Sequence, residues 1–312
     1  MRKILLIVFV VFAFAEALTA QQDPQYTQYM YNPIVVNPAH AGNRGLLSIM
    51  GLHRSQWVGL DGAPRTQTLS LHSPIAKSRV GIGLSIVNDE IGPAEETYAA
   101  ADFSYSIPLG EGSKLSFGIK GGVHLLNVDF SRLNIFNPSD ARLRENVENR
   151  LSPTVGAGVY YHTNLLYVGL SSPNVLQTDH FDNVNNMGAT SFIAQERIHF
   201  FGTAGYVFHL NNEIKFKPAT MVKAVLGSPL QVDVSGNFLF NEKFTVGAAY
   251  RWSAAVSAMV GFQVSEQMLL GFAYDRETTE LGNAIFNDGS YELFARFELF
   301  DSYDKIITPR FF

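Results

Sequence analysis

The chain has 312 residues, 46% hydrophobic and 16% charged, with a formal net charge of −5 and no cysteine. The mild acidity excludes the basic footprint of a nucleic-acid binder, and the charged fraction lies below the ~25% usual in soluble domains. Without thiols there is neither a disulfide framework nor a thiolate metal site.

Residues 1–20 read as a signal peptide. Arg2 and Lys3 give the basic start, and Ile4 to Ala15 is an apolar run short of the ~20 residues a spanning helix needs. Cleavage is expected after Ala20, or after Ala17 by the Ala15-Glu16-Ala17 pattern. Residues 21–44 form a polar and aromatic leader, broken by Asn32-Pro33 and Asn37-Pro38, pairs that block helix and central strand alike. Tyr26, Tyr29, Met30 and Tyr31 carry more apolar surface than a tether needs, so the leader is expected to pack, either into a barrel mouth or against another protein.

Residues 45–312 read as one β domain of about fourteen strands, with twelve to sixteen as the bounds. The predicted strands are 46–56, 66–73, 79–88, 96–107, 113–127, 153–162, 165–171, 194–209, 213–224, 230–240, 243–252, 255–263, 266–276 and 290–300. Most alternate with period two. In 114–125, Leu115, Phe117, Ile119, Gly121, Val123 and Leu125 share one face, while Lys114, Ser116, Gly118, Lys120, Gly122 and His124 share the other. The longest connections fall on one side of the sheet: 57–65, 89–95, 128–152, 172–193 and 277–289. Asp140 to Val147, within the third of these, is a charged stretch expected to form a short helix.

Short turns on one side and long loops on the other, in an exported chain with no later helix-length apolar run, imply a transmembrane antiparallel outer-membrane β-barrel. An open sheet edge cannot survive in hydrocarbon, so the sheet must close. A soluble sandwich would carry a second face rich in Lys and Glu; here that face is rich in Gly, Ala and Ser, with scattered charges such as Lys120, Asp233, Arg251, Glu292 and Arg296. With the long loops outside, both mature termini lie in the periplasm and the leader is periplasmic. Leu126, Tyr160 and Phe201 on the inner face point to a filled interior. The terminal Arg310-Phe311-Phe312 suits recognition by outer-membrane insertion machinery.

No catalytic constellation stands out. The eight histidines lack a metal-ligand spacing such as HExxH, and Ser235 lacks the GxSxG frame. Gly81, Gly83, Gly118 and Gly158 lie within strands, where they permit curvature or close approach rather than phosphate binding. Asp275, Arg276, Glu277 and Glu280 read as a solvated rim. No enzyme activity and no cofactor are expected.

The block Asp23-Pro24-Gln25-Tyr26-Thr27-Gln28-Tyr29-Met30-Tyr31-Asn32-Pro33, followed by Asn37-Pro38-Ala39-His40-Ala41-Gly42, resembles the mature N-terminus of the PorP/SprF family, type IX secretion-system outer-membrane proteins of the Bacteroidota. Arg54-Ser55-Gln56-Trp57, Gly62-Ala63-Pro64-Arg65-Thr66-Gln67-Thr68 and the Pro309-Arg310-Phe311-Phe312 ending are similar to the same pattern, although His40 stands where members often carry Tyr. The resemblance implies a non-enzymatic barrel that assists export or surface attachment of cargo, gliding adhesins included. Its implied partners are outer-membrane lipid, other type IX components and a secreted or surface-attached cargo protein. The residues that carry the resemblance are the candidate interaction set: Gln25, Tyr26, Tyr29, Met30, Asn32, Pro33, Asn37, Pro38, Gly42, Arg54, Gln56 and Trp57. The alternatives are a porin-like passive channel for small solutes and a soluble periplasmic β-rich binding module.

Overall fold

A computed structural model describes residues 24–75, 78–110, 112–133, 146–176, 183–184, 190–191 and 197–299. Fourteen antiparallel strands run in chain order: β1 (Leu47–Ser55), β2 (Arg65–Pro74), β3 (Val80–Ile91), β4 (Ala94–Gly110), β5 (Ser113–Val128), β6 (Val147–His162), β7 (Leu166–Ser172), β8 (His199–Tyr206), β9 (Ile214–Val225), β10 (Gln231–Phe240), β11 (Phe244–Arg251), β12 (Ala255–Gln263), β13 (Met268–Glu277) and β14 (Ser290–Leu299). Phe208–His209 continues β8 along β9. Every strand pairs with its chain neighbours, and β14 pairs with β1 from Leu47↔Leu299 to Ser55↔Tyr291, which closes the barrel. Asn183–Val184 and Thr190–Ser191 form a separate two-stranded ladder.

The alternation decides which side chain faces where. Leu69, Leu84, Ile119, Leu170 and Leu293 are half exposed or more on the outside, while Ser85, Lys120, Asp233, Glu292 and Arg296 are buried on the inside. Soluble monomers rarely expose apolar patches beyond ~300–600 Å²; an apolar belt on strand after strand is a lipid-facing surface. Aromatic rings band the outer wall near the short turns, where Tyr206, Phe208, Phe216 and Phe238 form a run of ring contacts 4.6–6.4 Å apart. Tyr250, Trp252, Tyr274 and Tyr291 lie near the other end, with Tyr274 and Tyr291 in ring contact at 5.2 Å. Two such girdles mark the interfaces of a membrane barrel.

The rim is uneven at the end of the long connections. β4, β5 and β6 span 17, 16 and 16 residues, whereas β7 spans 7. A predicted 89–95 loop is therefore a tight turn: β3 runs to Ile91 and β4 begins at Ala94. β6 likewise starts at Val147 rather than at 153, placing Pro153 inside a strand. That proline is tolerated because β7 pairs with β6 only from Ala157 onward, leaving the far side of Pro153 an open edge. Residues 140–145 of the predicted helix lie outside the described residues; Val147 opens β6 instead.

Candidate functional site

The lumen is filled by the chain's own leader. Residues 24–46 form no long element, as their two Asn-Pro pairs require; two short turns, Tyr29–Tyr31 and Pro38–His40, are separated by bends. Asn37 caps the second, its side-chain oxygen accepting from Ala39 N at 3.0 Å. Tyr26, Tyr29, Met30, Tyr31, Ile34, Val36, Ala39 and Ala41 are all buried against the inner wall. Burying a large apolar side chain contributes roughly 1.5–3 kcal/mol relative to exposure. Those gains offset an ordering cost of about 1–2 kcal/mol per residue. The second halves of these contacts come from inward-facing Met50, Leu52, Phe201, Met221, Met259, Leu269 and Phe294.

Polar contacts fix the register of leader against wall. At the long-connection end, Glu292 accepts from the backbone N–H of Thr27 (2.9 Å) and of Gln28 (2.8 Å). Arg54 lies between two carboxylates, 2.6 Å from Asp275 and 3.2 Å from Glu292, and donates to the Thr27 hydroxyl at 2.8 Å. All three ionic side chains are 1% exposed or less. Next to them Arg251 pairs with Asp233 at 2.6 Å and reaches Gln25 and the Tyr26 carbonyl. Midway down, Ser171 donates to the Val36 carbonyl (2.7 Å) and Asn37 to the Val159 carbonyl (3.1 Å). At the short-turn end Ser104 donates to the Ala41 carbonyl (2.7 Å), Gly42 N–H to His72 Nδ1 (3.2 Å), and Asn43 to Ser116 (3.1 Å). Arg44 and Glu298 close that end as an ion pair.

The inward glycines are where the leader lies flat on the wall. A Cβ at Gly118 would sit 2.1 Å from Ala39 N, and one at Gly83 would sit 2.3 Å from the Ile34 side chain. The expectation of close approach inside the barrel is met, with the leader as the approaching chain.

The predicted interaction residues separate into two groups. Gln25, Tyr26, Tyr29, Met30, Asn32, Asn37, Pro38, Gly42 and Arg54 all belong to the seat of the leader, with Pro33 half-buried among them. Tyr26 hydrogen-bonds Thr68 at 2.8 Å, and Ser70 donates to Asn32 at 2.8 Å. Gln56 and Trp57 stand apart, at the rim. Gln56 N–H bonds the Pro64 carbonyl, and the Trp57 indole donates to Glu277 at 3.0 Å, tying the first long connection to the β13–β14 connection.

Two expectations change. The leader lies in the lumen, where its rings and the amides of Gln25, Asn32, Asn37 and Asn43 meet the inner wall; its first described residues are at the long-connection end, opposite Leu299, and the mature termini lie outside the described residues. And Asp275, read as part of a solvated rim, is 1% exposed in the Arg54 clamp. The scattered inner charges are likewise paired: Lys120 with Asp102 at 3.0 Å, Arg296 with Glu298 at 3.3 Å. Sequence reasoning passed over Phe294 and the role of Glu292; the signal was inward charges of opposite sign at one level of neighbouring strands. Among the described residues no group of three or more His, Asp or Glu is arranged to hold a metal ion.

A closed, lipid-faced barrel whose lumen is packed by its own N-terminal segment is an outer-membrane β-barrel. The chain belongs to the family described as type IX secretion system membrane protein PorP/SprF, whose model matches residues 18–297. No curated protein matches it in sequence. Among solved structures it is similar to a CymD monoaromatic hydrocarbon channel, at 10% identity and a TM-score of 0.51, covering 90% of this chain and 95% of that one. It is also similar to a Pseudomonas aeruginosa FadL homologue, at 13% identity, TM-score 0.43, 88% and 95% coverage, and to the NanC porin, at 11%, 0.42, 81% and 100%. At these identities the likeness is one of fold.

Proposed function

We propose that this barrel is a non-enzymatic, leader-sealed scaffold of the type IX secretion apparatus, which assists export or surface attachment of cargo through protein–protein contact. The observation that carries the reading is the filled lumen: the leader contacts the wall from β1 to β14, so what the barrel offers partners is its ends. The connection between β13 and β14 supports it. Asn287 braces this loop by donating to the Leu281 carbonyl, and Gly289 and Asp288 bond Val58 across the rim. On that braced loop Ile285 and Phe286 are 91% and 68% exposed, an arrangement suited to entering a pocket of another protein. With the long connections outside the cell, this end and the start of the leader face outward and Leu299 faces the periplasm. Photocrosslinking from position 286 in cells tests the reading. Capture of a type IX component or cargo protein is expected; adducts with lipid alone would refute it.

A second reading, passage of small solutes, is favoured by the likeness of fold to a structure named as a channel. It requires the leader to leave its seat, and no covalent link holds it there beyond its junction with β1.

A further inference from the structure

The leader does not fill the lumen evenly. In its upper half it lies against β9 to β14 and β1 to β2, where Gln25, Tyr26 and Thr27 find Gln231, Arg251, Thr68 and Asp275. Opposite, between the leader and β3 to β8, a cavity of about 100 Å³ remains. It exists because of the wall's sequence. Ser85, Ala100, Gly122 and Thr154 are consecutive register partners across β3, β4, β5 and β6, so four adjacent strands carry small groups at one level. Tyr26, Tyr98 and Phe201 flank the space, and Val35 and Val36 of the leader lie beneath.

The charged and phenolic groups around it are already engaged. Lys120 is held by Asp102 at 3.0 Å and by the Ile34 carbonyl at 3.4 Å. The Tyr98 hydroxyl donates to Glu96 at 2.7 Å while its ring stacks on His124 at 4.2 Å. The Tyr26 hydroxyl is taken by Thr68. What remains presented to the cavity is ring face, methyl and methylene, with the hydroxyls of Ser85 and Thr154 in the small-residue row. A dry apolar cavity of ~150 Å³ is enough to bind benzene; this one is about two-thirds of that size and open on one side, so a single ring lodges with part of it, or a short substituent, at the opening.

We infer that the upper lumen is a binding site for a small, uncharged, monocyclic aromatic molecule, seated between the leader and the small-residue row of β3 to β6. Binding there requires no passage through the barrel, so it stands apart from both readings of function above. Two measurements on the full chain in phospholipid nanodiscs test it, with fluorobenzene as the probe. Fluorine NMR should show a saturable bound population, absent from empty nanodiscs and weakened at least tenfold in the cavity-filling variant Ala100→Phe/Thr154→Leu. Since the chain has no cysteine, Thr154→Cys supplies a single thiol in the cavity. Its reaction with methyl methanethiosulfonate should slow at least fivefold at saturating fluorobenzene. Partition equal to that of empty nanodiscs, or undiminished thiol reactivity, would overturn the inference even if the filled variant failed to fold.

Discussion

Replacing Glu292 by alanine should unseat the leader while leaving the barrel closed. The carboxylate accepts two leader N–H groups at 2.9 and 2.8 Å and faces Arg54 at 3.2 Å, in a site where all the ionic side chains are essentially dry. Breaking one partner of such a buried pair costs about 3–5 kcal/mol. The lower figure applies, because Arg54 keeps Asp275 at 2.6 Å. The strand ladders on either side of Glu292 are backbone bonds, so the loss falls on the leader. At 1.4 kcal/mol per factor of ten, ~3 kcal/mol raises the population with a displaced leader roughly 100-fold. Val36→Cys reports this: the site is 8% exposed, the substitution nearly conserves volume, and no other thiol competes. Maleimide labelling of Val36→Cys in nanodiscs should accelerate roughly 100-fold with Glu292→Ala. Glu292→Gln keeps an acceptor but loses the charge that roughly doubles the bond strength, and should accelerate it by a smaller factor. Parental labelling rates in both variants would refute the clamp.

Further outcomes follow from the same contacts. Gly118→Ala drives a Cβ into the backbone of the Pro38–His40 turn, an overpacking worth about 1–3 kcal/mol; it should speed Val36→Cys labelling. Gly121→Ala, whose Cβ meets nothing within 4 Å, should leave that rate unchanged. Tyr26→Ala with Tyr29→Ala removes two buried rings, at about 3–5 kcal/mol each by analogy with other aromatic truncations; the melting temperature should drop while heat-modifiable gel mobility, the sign of an inserted barrel, persists. Ile119→Arg puts a cation on the lipid face, at ~2–4 kcal/mol near the midplane; the folded fraction in liposomes should fall, and an unchanged fraction would contradict the assignment of that face.

The strands were readable because one physical constraint, lipid outside and polar lumen inside, acts on every second residue. All fourteen predicted strands are present, and the faces of 114–125 are assigned as their alternation requires. Strand ends were less legible. β3 to β6 extend beyond the lipid belt, where Asn88, Glu90, Glu95 and Asn127 have no apolar alternation to betray a ladder. The leader's aromatic load announced packing, yet its location depended on long-range pairs such as Thr27 with Glu292, separated by 265 residues. No local pattern encodes such a pair. The inward glycines carried the missing clue: a wall lined by Gly83, Gly118 and Gly158 leaves room for something to lie against it.

Single-barrel conductance in planar bilayers tests the sealed lumen most directly. The intact barrel should give no steady conductance, and a barrel lacking residues 24–43, checked for heat-modifiable folding, should give stable steps. Equal step conductance from the intact and the leader-deleted barrels would contradict the sealed lumen and leave the channel reading in its place.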